Sequence, residues 1–438
     1  MNLVLLSGGS GKRLWPLSND IRSKQFIKIF KTETGEYESM LQRVYRQIRK
    51  VDPAAKVTIA TGKNQVSAIH NQLGGDVGIS VEPCRRDTFP AIVLASAYLT
   101  DVMGVSPEET VVVCPVDPYV EDVYFETLKA LGEQAANGEA NLVLMGVEPT
   151  EPSEKYGYII PESAERVATV KTFKEKPDAE TAKEYIARGG LWNGGVFAYK
   201  LKYVLEKAHQ LADFSDYDDL LAKYETLPKI SFDYAVVEKE GKIQVMRFRG
   251  HWNDLGTWNA LTEIMEEPVL GKGVLNDACS GVSIVNETDV PVLAMGLHDV
   301  VISASSEGIL VADKAQSSFI KPYVDKFEQQ VMFAEKSWGS FRVIDVEKES
   351  MTIKVTLNPG HAMNYHSHQF RDEVWTVISG TGRSVVDGFQ QQIKTGDVIT
   401  MAAGCRHTVF AETRLKLIEV QLGKDISVQD KQKFPLEY

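Results

Sequence analysis

Two groups of residues in this chain have the types and the spacing to do chemistry. The first is GGSGKR at residues 8–13, reached directly from the apolar run Leu3-Val4-Leu5-Leu6. Glycines let successive backbone N–H groups close on an anion, and Lys12 and Arg13 bring charge to neutralise it. The spacing fits neither common phosphate fingerprint. A P-loop needs glycine where Leu6 stands, and a dinucleotide loop begun at Gly9 needs glycine at Leu14. A phosphate-bearing ligand and a plain strand-to-helix turn therefore both stay open. Asp117, in CPVDPYV, follows a buried apolar run, and Asp254 lies in GHWNDLGTW. Each alone would be a turn former or a helix cap. Beside a polyanion loop they suit Mg²⁺, which takes one or two protein carboxylates and completes its shell with water and phosphate oxygens. The second group is His366, His368, Glu373 and His407. On a strand, His366 and His368 point the same way, so both imidazoles can reach one ion, with Glu373 and His407 arriving from neighbouring strands. Three of the eight histidines plus a glutamate in this pattern point to a divalent transition metal, with Zn²⁺, Mn²⁺, Fe²⁺ and Ni²⁺ all open.

Elements must hold these residues in place. Up to about residue 267, continuous apolar runs at 3–6, 56–60, 110–114 and 141–146 read as strands. They alternate with helical stretches, among them one at 40–48 and one N-capped by Thr88, with Pro90 in its first turn, running to Leu99. Such alternation predicts an α/β, Rossmann-like, mixed and mostly parallel sheet with helices on both faces, whose ligands bind off the carboxyl ends of the strands. From 271 to 322 the chain turns to short β pieces between small and polar residues, a solenoid-like connector. A bridging helix is expected at 324–333. From about 336 onward, short strands divided by glycine turns predict an all-β barrel or sandwich. The expected division is 1–267, 268–325 and 326–438.

A chain of 438 residues exceeds one ordinary core, which agrees with several parts. The net charge of −12 argues against nucleic acid and anionic membranes as partners. Positive charge has to be local, and Lys12, Arg13, Arg22, Lys24 and Lys28 supply it. No apolar stretch reaches a membrane span, and Cys84, Cys114, Cys279 and Cys405 are scattered without a CxxC pair. The expectation is a cytoplasmic protein with reduced thiols.

The segment LSGGSGKRLWPLS followed by KQF resembles the signature of the sugar-phosphate nucleotidyltransferases, and within them the bacterial mannose-1-phosphate guanylyltransferases. EPCRRDTFPAI, CPVDPYV, KYGYI, FKEKPD, LWNGGVF, FDYAVVEK and HWNDLGTW agree in order. The resemblance implies attack of the mannose 1-phosphate oxygen on the α-phosphorus of GTP, giving GDP-mannose and pyrophosphate. It places Ser7, Gly8, Gly9, Ser10, Gly11, Lys12, Glu82, Arg85, Asp87 and Thr88 at the nucleotide. Arg13 and Lys24 would neutralise phosphate charge, while Asp117 and Asp254 would bind Mg²⁺. Gly157, Glu175, Lys176 and Asn193 would meet the sugar phosphate, Glu175 accepting from sugar hydroxyls and Lys176 pairing with the phosphate. Two departures stand out. Ser23 replaces the usual proline before KQF, and Arg85-Arg86-Asp87-Thr88 stands where Gly-Arg-Asn-Thr is usual, so base recognition is the feature most affected.

Gly360, His366, His368, Glu373 and Gly380 match the first cupin motif, and Gly396, Gly404 and His407 the second, with Ala402 and Ala411 in place of Pro and Asn. Fused to a guanylyltransferase, this part is similar to type II mannose-6-phosphate isomerases, which implies mannose 6-phosphate and fructose 6-phosphate as ligands and Lys354 as a proton-transfer or phosphate-binding residue. Lys336-Ser337-Trp338-Gly339 replaces the family's Arg-Pro-Trp-Gly, and the tail lacks the family's arginine. A homo-oligomer is expected. Two alternatives stay in view, a transferase for another nucleoside triphosphate and hexose 1-phosphate, and a nucleotide-sugar sensor without turnover.

Overall fold

A computed structural model of the chain describes every residue except 10, 11, 20, 328, 329, 425, 428, 429 and 436–438. The continuous apolar runs become the central strands of a nine-stranded sheet, in the order Gly78–Glu82, Lys56–Gly62, Asn2–Ser7, Thr110–Pro115, Leu191–Lys200, Leu142–Val147, Ile243–Phe248, Val167–Lys174, Tyr158–Pro161. Leu191–Lys200 and Val167–Lys174 are reversed, and the other seven strands share one direction. Strands buried on both faces carry no polar alternation, which is why Val111, Val112 and Val113 follow one another without exposure. The helix Met40–Val51 starts where Ser39 and Gln42 form a capping box, each side chain bonded to the other's backbone N–H at 3.1 Å. The helix expected to begin at Thr88 covers Thr88–Ala97, but its N-cap is Asp87, whose carboxylate accepts from Thr88 N at 2.8 Å. Thr88 is instead its first residue, and its hydroxyl is engaged by Phe232 N.

The chain packs into two compact units. One comprises Met1–Gly9, Gln25–Val66 and Gly75–Gly256, and the other Ser10–Lys24, Ser67–Gly74 and Thr257–Tyr438. The second unit opens with short parallel strands, Val269–Gly271 beside Ser283–Asn286 beside Val300–Ser305, and Gly273–Leu275 beside Val292–Ala294. Ile284, Ala294 and Ile302 form their core. Among the described residues, no helix continues past Val324 into 325–333. The helix Lys321–Val324 is a single turn with Pro322 at its start, and Phe333–Lys336 is a strand paired with Gly339–Val346. Sheet pairing at Phe333 overrides the local helical pattern.

The rest of this unit is a double-layered β structure. One sheet runs Phe333–Lys336, Gly339–Val346, Ser350–Leu357, Leu415–Leu422, Asp372–Ser379, Val398–Met401, and the other Phe389–Lys394, Thr381–Val386, His407–Ala411, His366–His368, Lys431–Lys433. Trp375, Leu357, Leu415 and Leu417 fill the space between them.

The stretch Ser10–Lys24 is built into this second unit. The buried Arg22 guanidinium makes two bonds to Glu287, at 2.7 and 2.8 Å. Asn19 Nδ2 donates to Glu307 at 2.9 Å, Ser305 Oγ to the Pro16 carbonyl at 2.7 Å, and Trp258 Nε1 to the Trp15 carbonyl at 3.0 Å. All four cysteines are free thiols, and no helix among the described residues is long and apolar enough to cross a membrane.

Candidate functional site

The first unit gathers its chemistry at the carboxyl ends of its strands. Asn2–Ser7 delivers Ser7, fully buried, whose hydroxyl donates to Gln65 Oε1 at 3.2 Å and accepts from Gln25 Nε2 at 3.0 Å. Gly8 and Gly9 follow, both exposed. Gly9 has φ +106°, a conformation that favours glycine, and its carbonyl accepts from Arg85 Nη2 at 3.1 Å. Ser10 and Gly11 lie outside the described residues. Glu82 ends its own strand, with Tyr224 Oη donating to it at 2.7 Å. Burial pushes the Glu82 carboxyl up, and the Tyr224 bond opposes that shift.

Asp117 lies between the strands Thr110–Pro115 and Pro118–Val120. Asp254 ends the strand Trp252–Asp254, which pairs antiparallel with Pro118–Val120 so that Asp254 stands opposite Pro118. This two-stranded ribbon places the backbone of Asp254 beside that of Pro118, the neighbour of Asp117, and both aspartates are partly exposed. Hard carboxylate oxygens open to solvent are the kind of ligand that Mg²⁺ takes. The charge of Asp117 is felt beneath it, since burial and then Asp117 push the Cys114 thiol far up.

A third cluster lies in the same unit. Gly157, Glu175 and Asn193 pack together closely enough that a Cβ on Gly157 would collide with Glu175 Oε2 and touch the Asn193 side chain. Lys176 Nζ pairs with Glu175 Oε1 at 3.0 Å, and Asn193 N donates to the Gly157 carbonyl at 2.8 Å. Asn193 Nδ2 donates to Asp233 Oδ1 at 2.7 Å. Asp233 is a site residue that the sequence reading missed. It lies inside FDYAVVEK, but nothing local to that motif shows that its partner is forty residues away. Burial, then the Glu175 charge, push the Asp233 carboxyl up to about 6, and Lys176 pulls the other way. The folded chain therefore holds this proton more tightly than the unfolded chain. The stabilisation is complete below about pH 4 and lost as the pH rises through about 6. Asp233→Asn should accordingly raise Tm relative to wild type at about pH 7.5 and not at about pH 4, as differential scanning calorimetry would show.

The remaining residues expected at the nucleotide belong to the second unit. Lys12 pairs with Asp325 at 2.9 Å, Arg13 is exposed, and Lys24 is half-buried.

That unit also brings His366, His368, Glu373 and His407 together as expected, all buried, with ligand atoms within 4.8 Å of one another. Strand pairing puts His366 opposite His407. His366 Nδ1 lies 2.6 Å from the Asn364 carbonyl and His407 Nδ1 3.0 Å from that of Cys405. These contacts place the protons on Nδ1 and leave each Nε2 as an acceptor. His407 Nε2 then faces Glu373 Oε2 at 3.1 Å, and neither atom has a hydrogen bond. Two buried acceptors at that distance call for a cation between them. Burial pushes His366 down to about 2, with Lys431 adding to it, so the ring is neutral and ready to ligate.

Arg371, also absent from the sequence reading, donates to His368 Nε2 at 3.0 Å and to Glu373 Oε1 at 3.2 Å. Gln421 Nε2 bridges Glu373 and Glu419. Lys354 is not brought to this cluster. Its neighbours Ile353 and Val355 point into the core, so Lys354 is exposed on the opposite face of the sheet.

With the geometry in place, comparison with known proteins is decisive on kinship. The family description "Nucleotidyl transferase" matches residues 2–268. The chain belongs to this family. The description "Mannose-6-phosphate isomerase C-terminal" matches residues 325–435 of the transferase. Over 98% of its length the transferase is 30% identical to the mannose-1-phosphate guanylyltransferase RfbM of Salmonella typhimurium, covering 95% of that protein. It is 28% identical to the alginate biosynthesis protein AlgA of Pseudomonas aeruginosa, with 98% of this chain and 95% of the relative covered. Among solved structures, the mannose-1-phosphate geranyltransferase of Thermus thermophilus matches 74% of the transferase and 98% of its own chain, at 31% identity and a TM-score of 0.62.

Proposed function

We propose that this transferase moves GMP from GTP to mannose 1-phosphate, releasing pyrophosphate and GDP-mannose. The observation that supports the proposal is the ribbon pairing Asp254 with Pro118, the residue after Asp117, at the end of a parallel strand. A non-catalytic sensor has no need of the two aspartates. A phosphate oxygen of the sugar attacks the α-phosphorus in line, the bond to the β-phosphate oxygen breaks, and pyrophosphate leaves without a covalent enzyme intermediate. Two anions must meet, so positioning and charge neutralisation provide most of the rate. Ser7, Gly8 and Gly9 would meet the phosphates, and Ser10, Gly11 and Lys12 are assigned to them from the sequence motif. Arg13 and Lys24 neutralise charge. Glu82, Arg85, Asp87 and Thr88 meet the nucleoside, while Gly157, Glu175, Lys176 and Asn193 meet the sugar phosphate. Asp117 and Asp254 would hold Mg²⁺, whose contribution is further neutralisation of phosphate charge. The division at 267 and 325 and a cytoplasmic home belong to the same proposal.

The test is pyrophosphate release in Mg²⁺ with each of GTP, ATP, UTP and dTTP against mannose 1-phosphate and glucose 1-phosphate. GTP with mannose 1-phosphate should exceed every other pair by at least about a hundredfold in kcat/KM, the scale on which hydrogen-bonding sites reject a wrong partner. A different best pair would move the specificity to Arg85 and Asp87, and no release with any pair would favour the sensor.

A second activity is supported by the second unit. The four buried ligands fit a divalent ion that would polarise a sugar carbonyl during interconversion of mannose 6-phosphate and fructose 6-phosphate. Burial, followed by the charge of Glu373, pushes the nearby Glu419 carboxyl up.

A further inference from the structure

Asn193 stands at an irregularity in its strand. The pairing of Leu191–Lys200 with Leu142–Val147 shifts register between Asn193 and Phe197, and Gly195 within the shift has φ +67°. A bulge of this kind re-aims a side chain but removes the regular neighbours that would hold it still. Two contacts replace them. Gly195 N donates to Asn193 Oδ1 at 3.2 Å, and Asn193 Nδ2 donates to Asp233 Oδ1 at 2.7 Å. With both ends of the amide engaged, its orientation is fixed, while one N–H and one oxygen lone pair stay available to a ligand.

Asp233 is itself held firmly. It lies on the turn Phe232–Ala235, N-capped by Ser231, whose hydroxyl accepts from Tyr234 N at 3.3 Å. Phe232 is fully buried against Phe197 and Phe89, with ring centroids 4.6 and 6.4 Å away. Phe232 N donates to Thr88 Oγ1 at 2.8 Å. Two consecutive residues thus tie the segment at Thr88 to the strand carrying Asn193. Phe232 does so through its backbone and Asp233 through its carboxylate.

We infer that Asp233 is a positioning residue of the transfer reaction, aiming the Asn193 amide at the sugar phosphate and holding it in fixed relation to Thr88. This rests on the proposal above that Asn193 meets the sugar phosphate and Thr88 the nucleotide. Asp233 does not touch the reacting atoms. Its contribution is the loss of rotational freedom in Asn193 before substrate arrives, so its removal weakens the sugar side selectively.

The experiment is initial-rate kinetics of pyrophosphate release by the full chain, varying GTP and mannose 1-phosphate separately, for wild type, Asn193→Ala, Asp233→Ala and Asp233→Asn. Asp233→Ala should raise KM for mannose 1-phosphate about tenfold, the worth of one good hydrogen bond, and leave KM for GTP within about twofold. Asp233→Asn keeps an oxygen that can accept from Asn193 Nδ2 and should restore KM for the sugar phosphate to within about threefold of wild type. A merely structural role would give no such split and no such rescue. If Asn193→Ala raises the sugar-phosphate KM but Asp233→Ala does not, the inference is overturned and the proposed subsite stands. If Asn193→Ala has no effect, the subsite itself is wrong. Should Asp233→Ala fail to fold, Asp233→Ser takes its place, because a serine hydroxyl is too short to reach Asn193 yet keeps the site polar. The same split and the same rescue are then expected, and a KM for GTP raised in step with that for the sugar phosphate overturns the inference.

Discussion

Replacing Asp254 with asparagine is expected to lower kcat/KM for pyrophosphate release by on the order of a thousandfold, with the protein still folded. The change removes one negative charge and little volume from a partly exposed ribbon, so stability has small reason to suffer. What is lost is half of a carboxylate pair that a cation bridging to phosphate would use. Asp117→Asn should cost about as much, and the double variant little more than either alone, because residues that act as one unit are strongly non-additive. Raising Mg²⁺ should recover part of the single-variant activity and none of the double's. Activity within about tenfold of wild type in Asp254→Asn would remove this residue from the metal site.

The second large effect belongs to Glu373. Glu373→Gln is expected to reduce the transition metal retained after purification from about one ion per chain to below about a tenth, read by atomic emission. Glu373 lies between His368 and His407, 3.1 Å from each, and a neutral amide there offers the ion no charge. Because an ion held by these four residues would bind the folded barrel and not the unfolded chain, stripping it from wild type with a chelator should lower Tm by roughly 10 °C. The same chelator should leave Tm of the variant unchanged. Full metal occupancy in Glu373→Gln would show that the histidines suffice without a carboxylate.

Much of this molecule is legible in residue order, and its failures have a common cause. His366, His368, Glu373 and His407 could be picked out because a period of two and rare ligand types are local signals. Asp117 and Asp254 were each visible, whereas the ribbon that joins them is a long-range pairing. Asp233 and Arg371 escaped because their meaning lies in partners supplied by the fold, Asn193 for one and His368 with Glu373 for the other. Arg371 was within reach, since it stands two residues before Glu373, just ahead of the strand Asp372–Ser379. Lys354 was likewise resolvable, as alternation with Ile353 and Val355 already points it outward. The helix expected at 324–333 failed because Phe333 had a better option in pairing with Arg342.

The Arg22 contact bears on how such a gene can be rearranged. Arg22 belongs to the signature near the start of the chain, yet its charge is satisfied by Glu287, 265 residues later. Arg22 is buried while Glu287 is half-buried, so losing the carboxylate would leave a guanidinium with much of its charge unsatisfied. A recombination that carried off the first 267 residues alone would strand that guanidinium and uncover Trp15, whose ring lies over Gly308. The opening signature and the β connector are therefore tied by contacts across some 265 residues of sequence, and an exchange of modules that cuts between them would break the fold at that point.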